Sequence, residues 1–182
     1  MNKREQPYNT QSKVIFLDFD GVLNTEEYFA SLEEKGLPTE DAFGTLFCPN
    51  AVRNLQQIID ATDALIVVSS SWRFAGLETL KQMWKERALP GTLYDITSLY
   101  VADDYICTHI EDKDFDYHEA MTSTREMEIS TWLQEHSEVT DYVILDDLDS
   151  FRQHEAHFIK INPRIGITNE EIKRAITILN SN

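Results

Sequence analysis

The sequence predicts an α/β domain built on a doubly wound parallel sheet. Short apolar segments of strand length alternate along the chain with longer segments whose apolar residues recur at helical spacing. This alternation is typical of parallel strands joined by crossover helices, which cover both faces of the sheet. The chain has 182 residues, of which 42% are hydrophobic, so it can form one well-packed core but is short for two domains. We therefore expect a single domain.

Four elements are predicted in the first half of the chain. Residues 14–19 form an apolar run with the character of a buried strand. Residues 49–61 are predicted as a helix, because a proline lies in the first turn and the apolar residues share one face. Residues 64–69 are predicted as a second buried strand. Residues 77–89 have a helical pattern, which the Pro90-Gly91 pair ends.

Four further elements are predicted in the second half. An amphipathic helix and two apolar strands are predicted at residues 125–136, 142–145 and 157–161. A last helix, residues 169–179, begins with a capping box formed by Thr168 and Glu171. The acidic stretch 102–123 has no clear period and is predicted to be a long surface excursion near the edge of the sheet where the strands end.

Composition and the chain ends narrow the class of protein. Residues 1–12 are mainly polar and are expected to be a flexible leader, followed by one domain over residues 13–182. No segment approaches the ~20 apolar residues needed to span a bilayer, so a soluble, cytoplasmic protein is expected. The net charge of −16 argues against stable nucleic acid binding, which needs a basic surface. Cys48 and Cys107 form no CxxC pair and indicate neither a zinc site nor a disulfide framework.

Polar residues follow three of the predicted strands at the point where each strand ends. Asp18 and Asp20 end the first strand, Ser69 ends the second, and Asp146 with Asp147 follows the third. In doubly wound sheets, ligands bind beyond the carboxyl ends of the strands. These side chains are therefore expected to converge on one site.

Several carboxylates at one place repel each other unless a cation or bound protons compensate them. Mg²⁺ held by carboxylates and water is the usual solution in phosphoryl transfer. One aspartate can then act as nucleophile, while a second gives a proton to the leaving oxygen and later activates water. A hydroxyl group and a cation would stabilise the charge on the phosphoryl oxygens.

The motifs that carry these residues resemble those of the haloacid dehalogenase (HAD) superfamily of phosphohydrolases. The first motif is DFDGVL at 18–23, the second ends ALIVVS at Ser69, the third is Arg125, and the fourth is LDD at 145–147. The segments SSSWR, REMEISTWL, YVILDD and GIT are more specifically similar to the branch found as a HAD domain in Swiss Army Knife RNA repair proteins. The resemblance spans roughly residues 13 to 180 and implies a HAD-like Rossmannoid fold with a minimal cap or none.

The resemblance implies a role for each matching catalytic residue. Asp18 is expected to be the nucleophile and a metal ligand. Asp20 is expected to be the general acid and base and to offer its backbone carbonyl to the metal. Ser69 is expected to bind the phosphoryl group, and Arg125 to neutralise it together with the nucleophile. Arg125 is predicted to open its helix.

The resemblance also implies that Mg²⁺ is held by four aspartates. These metal ligands are Asp18, Asp20, Asp146 and Asp147. Which of Asp146 and Asp147 contacts the metal directly is left open by the sequence.

Three more residues are predicted to bind the substrate. Gly21 suits a tight turn where the backbone approaches phosphate closely, and Ser70 lies beside Ser69. Arg73 competes with Arg125 for the role of third-motif cation, because either guanidinium could bind phosphate in a bidentate manner. Trp72 and the other two tryptophans are interpreted as packing residues.

The spacing of the motifs predicts an open site. Fewer than thirty residues separate Asp20 from the helix at Pro49, which leaves room for a turn, a short helix and a flap. An open site would admit a macromolecular phosphate, either on a phosphoprotein (including phosphotyrosine) or at a polynucleotide end. The negative charge favours protein or small-molecule phosphates, whereas the resemblance favours RNA ends. The alternatives are a non-catalytic phosphate- or metal-binding module, a small-molecule phosphatase, and an enzyme of this fold acting on another leaving group.

Overall fold

A five-stranded parallel sheet forms the centre of the structure, which is a computed structural model. It describes residues 12–98, 117–149 and 151–181. For residues 117–123 it describes the backbone alone. In chain order the strands are β1 (Ser12–Leu17), β2 (Glu40–Asp41), β3 (Gly44–Thr45), β4 (Leu65–Val68), β5 (Leu93–Ile96), β6 (Val139–Asp146) and β7 (Phe158–Lys160). The helices are α1 (Glu26–Glu34), α2 (Pro49–Thr62), α3 (Leu77–Glu86), α4 (Tyr117–Glu135) and α5 (Asn169–Leu179), with 3-10 helices at Ser71–Ala75 and Arg152–His157. The sheet order is β5-β4-β1-β6-β7, and β2 pairs with β3 as a separate antiparallel hairpin.

Strand β1 lies at the middle of the sheet and is covered on both faces. Residues 14–17 are fully buried, and their side chains alternate between two apolar clusters. Ile15 and Leu17 pack with apolar residues of α2, α3 and α5, whereas Phe16 packs with Ile129 and Trp132 of α4. Helices therefore cover both faces, and the prediction of a doubly wound parallel sheet is confirmed.

Most predicted elements occur within a few residues of their expected bounds. The main difference is α4, which begins at Tyr117 and not at Arg125. Arg125 therefore lies in the third turn of its helix, and the prediction that it opens the helix is wrong. The same helix contains residues 117–123, which were expected to belong to an irregular excursion. The rest of that stretch, residues 102–116, lies outside the described residues.

The short helix and flap expected after Asp20 correspond to α1 and the β2–β3 hairpin. The edge strand β5 was not predicted, because it has four residues and includes the polar Asp95. Residues 1–11 of the predicted leader lie outside the described residues. Among the residues that are described, no helix is both long and apolar enough to cross a membrane.

We predict that Phe16→Ala will lower the free energy of unfolding by about 3–5 kcal/mol, because a fully buried aromatic ring would leave a cavity. The ring lies edge-on to Trp132 and Tyr142, with centroids 5.3 and 5.9 Å apart. Urea unfolding followed by circular dichroism measures the change. Leu37→Ala is the control, since Leu37 is 51% exposed. A loss for Phe16→Ala no larger than for this control would contradict the assigned packing.

Candidate active site

The carboxyl ends of β1, β4 and β6 bring the predicted site residues together. Leu17 pairs with Val68 on one side and with Leu145 on the other. Directly beyond these pairs, the amide of Asp18 donates to the carbonyl oxygen of Leu145 (3.0 Å), and the amide of Ser69 donates to that of Leu17 (3.1 Å). The register of three adjacent strands therefore places the polar residues that follow them side by side.

Three carboxylates form the acidic centre of the site. Asp18, Asp146 and Asp147 each place one oxygen within 4.8 Å of the others. Asp18 and Asp146 are buried, whereas Asp147 is partly exposed. Carboxylate oxygens are ligands that a hard divalent cation such as Mg²⁺ prefers, so the chemistry of these residues fits the predicted metal.

Burial and mutual repulsion disfavour the ionised form of all three acids. Burial raises the pKa of Asp18 to about 6, with a further contribution from the negative charge of Asp146. Burial likewise raises the pKa of Asp146 and of Asp147. A bound cation would oppose both effects, because it adds positive charge among the acids.

Arg125 provides a positive charge within this cluster. Its Nη1 atom donates to Asp18 Oδ2 (2.9 Å) and to Asp146 Oδ2 (2.7 Å). All three side chains are almost completely buried, and the two aspartates raise the pKa of Arg125. One guanidinium from α4 thus connects the ends of β1 and β6.

The two serines after β4 lie beside the end of β1, where the amide of Ser69 donates to the carbonyl oxygen of Leu17. The side chain of Ser70 is close enough to the Asp18 carboxylate to lower its pKa, against the larger effect of burial. Ser69 is fully buried, and its Oγ has no hydrogen-bond partner among the described residues. Leaving a buried hydroxyl unpaired is costly, so this atom is suited to bind a ligand oxygen.

The guanidinium of Arg73 forms hydrogen bonds with other groups of the protein and, among the described residues, with none of the three acids of the cluster. Its Nη1 donates to the carbonyl oxygens of Ser69 (3.2 Å) and Ser70 (2.8 Å), and its Nη2 donates to both carboxylate oxygens of Glu128 (2.6 and 2.7 Å). Arg125, in contrast, contacts Asp18 directly. This geometry favours Arg125 as the third-motif cation, while a substrate contact by Arg73 stays a prediction.

Asp20 lies at the surface, apart from the three buried or partly buried acids. Its carboxylate accepts hydrogen bonds from Trp72 Nε1, 3.1 Å from each oxygen, and from Asn24 Nδ2 at 2.6 Å. The carboxylate of Asp20 is not part of the three-residue cluster. Its predicted metal contact, through the backbone carbonyl, stays a prediction.

Gly21 allows the chain to turn beside Asp147. Its φ angle is +72°, and a Cβ atom at this position would lie 2.5 Å from Asp147 Oδ2 and 2.9 Å from Pro163 Cβ. Any side chain here would therefore displace an acid of the cluster.

A cavity of about 300 Å³ opens beside Asp20 and Asp147, between the turn after β1 and the β2–β3 hairpin. Its lining residues are Asp20, Gly21, Asn24, Thr25, Glu26, Phe29, Thr45, Asp147 and Pro163. The wall carries three acidic side chains and one aromatic ring. The site is thus bordered by a short helix and a small hairpin in this part of the chain.

Three residues near the site were missed from the sequence, namely Asn24, Trp72 and Glu128. Trp72 was interpreted as a packing residue, and Glu128 has no feature that distinguishes it from the other acids of its helix. The signal that could have found Trp72 is its position directly after the strand-end serines. Asn24 could have been found from its place four residues after Asp20.

A family model described as the HAD domain in Swiss Army Knife RNA repair proteins matches residues 14–172. The matched range includes every predicted site residue and confirms the resemblance that the motifs indicated. Neither the curated proteins nor the solved structures include a significant match to the chain.

We predict that Arg73→Met will destabilise the protein by about 3–5 kcal/mol, because it leaves the fully buried Glu128 carboxylate without its guanidinium partner. Urea unfolding measures the effect. The double variant Arg73→Met/Glu128→Leu should lose less than the sum of the single variants, since it removes both charges.

The exposed ion pair between Arg164 and Glu27 (3.0 Å) provides the matched control. Arg164→Met should change stability by less than about 1 kcal/mol. If Arg73→Met and Arg164→Met lowered the free energy of unfolding equally, the buried ion pair would not have the stabilising role assigned to it.

Proposed function

The chain belongs to the family of HAD domains found in Swiss Army Knife RNA repair proteins, and from this premise we propose that it is a magnesium-dependent phosphatase that hydrolyses a phosphomonoester through an aspartyl-phosphate intermediate. The observation that carries the proposal is the placement of Asp18. Its buried carboxylate contacts Arg125 and lies within 4.8 Å of the two other acids of the cluster. A nucleophilic carboxylate, a cation and a metal donor set thus occupy one site.

Asp18, Asp146 and Asp147 would hold the metal. When bound, Mg²⁺ supplies positive charge that lets an anionic phosphoryl group approach an ionised carboxylate. Arg125 adds positive charge from the protein itself, and the unpaired hydroxyl of Ser69 can donate to a phosphoryl oxygen. These groups act mainly through positioning and electrostatic stabilisation, which dominate catalysis of phosphoryl transfer.

In the first step, an oxygen of Asp18 attacks phosphorus as the bond from phosphorus to the leaving oxygen breaks. The electron pair stays with the leaving oxygen, which takes a proton from the carboxyl group of Asp20. In the second step, the Asp20 carboxylate removes a proton from water, and the water oxygen attacks phosphorus. The bond to Asp18 then breaks, which releases inorganic phosphate and restores both acids.

The proposed substrate class is a phosphate presented by a macromolecule. The exposed position of Asp20 and the small size of α1 and the hairpin support an open site. The family's description favours a polynucleotide end, whereas the net charge of −16 and the acidic cavity wall favour a phosphoprotein. A panel of phosphotyrosyl and phosphoseryl peptides, 5′- and 3′-phosphorylated oligonucleotides and small phosphate esters would identify the preferred class.

We predict that Asp18→Asn will lower turnover of p-nitrophenyl phosphate by at least about a thousandfold, because an amide cannot serve as the nucleophile. The assay is run with Mg²⁺ and with a chelator, and near-ultraviolet circular dichroism checks the fold. Asp60→Asn, an exposed change on α2, is the matched control and should retain activity. Release of nitrophenol by Asp18→Asn at the wild-type rate would refute the proposed nucleophile. Absence of metal-dependent turnover in the wild-type protein would indicate a non-catalytic binding module.

We predict that Asp147→Asn will weaken Mg²⁺ binding about 10- to 100-fold, because the metal loses a charged group from its donor set or outer shell. Isothermal titration calorimetry with Mg²⁺ alone measures the affinity without any substrate. Asp149→Asn is the control, since Asp149 lies on the same loop but is exposed and paired with Lys160. Equal Mg²⁺ affinities for these two variants would contradict the assignment of Asp147.

A further inference from the structure

We propose that Trp72 is a positioning residue that holds the carboxyl group of Asp20 in place for proton transfer to the leaving group. This inference rests on the proposed function, because it assigns a partner to the general acid of that reaction. The interpretation of Trp72 as a packing residue is thereby extended to a role in the chemistry.

Among the described residues, the side-chain hydrogen bonds to the Asp20 carboxylate come from groups that can donate but cannot accept. Trp72 Nε1 lies 3.1 Å from each carboxylate oxygen, and Asn24 Nδ2 lies 2.6 Å from Oδ1. An indole N–H and an amide NH₂ have no site for the acid's proton. They can fix the plane of the carboxyl group while its proton stays available to the leaving oxygen. Because Asp20 is exposed, water would compete to reorient it without these bonds.

The indole ring is itself fixed by an aromatic cluster. It packs against Phe19, with centroids 5.6 Å apart and planes at 78°, and against Phe47 at 5.5 Å. The guanidinium carbon of Arg87 lies 5.6 Å from the ring centroid. A Cβ atom on Gly44 would come within 3.0 Å of the ring, so the hairpin backbone closely approaches the indole. Trp72 therefore has little freedom to move away from Asp20.

Trp72 also connects the acid with the phosphoryl-binding serines. It lies in the 3-10 helix Ser71–Ala75, and its backbone amide donates to Ser70 Oγ at 3.4 Å, which caps this helix. The same turn thus carries Ser69, Ser70 and the donor to Asp20. Trp84 offers a contrast, because its Nε1 donates to the carbonyl oxygen of Pro90, away from the acids.

The role has a consequence that packing alone would not have. An alkyl ester needs a proton on its leaving oxygen when the bond to phosphorus breaks, whereas 2,4-dinitrophenolate leaves readily without one. Loss of the indole N–H should therefore slow cleavage of the alkyl ester selectively. The parameter kcat/KM reports this first step, since it includes events only up to the first irreversible one.

The experiment compares kcat/KM for glycerol 2-phosphate and for 2,4-dinitrophenyl phosphate, both with Mg²⁺. For Trp72→Phe we expect about a 10- to 100-fold loss with the alkyl ester and less than about a threefold change with the aryl ester. Asp20→Asn should show the same selectivity to a larger degree. Trp84→Phe is the control, because it removes an indole hydrogen bond that does not involve Asp20, and it should leave the ratio of the two values unchanged.

A second variant separates the hydrogen bond from the shape of the ring. Benzothienylalanine introduced at position 72 keeps the bicyclic shape and replaces N–H by sulfur, so it should reproduce the selective loss. Equal losses for the two esters, or a wild-type ratio in the benzothienylalanine protein, would overturn the inference and leave Trp72 a packing residue. The wild-type protein tests the proposed function separately: if it hydrolyses neither ester with Mg²⁺, that function fails and the inference falls with it.

Discussion

The contact of Arg125 with Asp18 and Asp146 is the interaction on which the site depends. Parallel strands β1 and β6 end side by side, so the acids that follow them are held close together and away from water. Burial and repulsion disfavour the charge on both acids. The guanidinium of Arg125 contacts one oxygen of each acid, and its positive charge offsets part of the burial and repulsion. A metal ion and a phosphoryl group would enter a site whose charges are already partly balanced.

The position of Arg125 follows from the packing of α4 on the sheet. Ile129 and Trp132 of this helix pack against Phe16 of the central strand. This packing holds α4 on one face of the sheet. Glu128, one turn from Arg125, binds Arg73, which in turn holds the carbonyl oxygens of Ser69 and Ser70. The helix that supplies the cation is therefore tied to the turn that supplies the hydroxyl groups.

The sequence predicted the parts of the fold that have a strong local pattern. The buried strands β1, β4 and β6 and the acids that follow them are apolar runs with abrupt polar ends, and both are visible in a single sequence. The start of α4 was missed because its first turns lie in an acidic stretch with no clear apolar period. The Trp72–Asp20 and Arg73–Glu128 contacts join residues 52 and 55 positions apart. No local pattern selects such partners, since the turn after β4 decides which side chain reaches which acid.

In the proposed reaction, Asp18 becomes phosphorylated while Arg125 and the metal compensate the charge around it. A crystal structure of the protein with Mg²⁺ and beryllium fluoride, a mimic of the phosphoryl group, tests this step. We expect beryllium bonded to a carboxylate oxygen of Asp18, with Mg²⁺ among Asp18, Asp146 and Asp147. Beryllium bonded to a different residue, or a metal bound away from these acids, would contradict it.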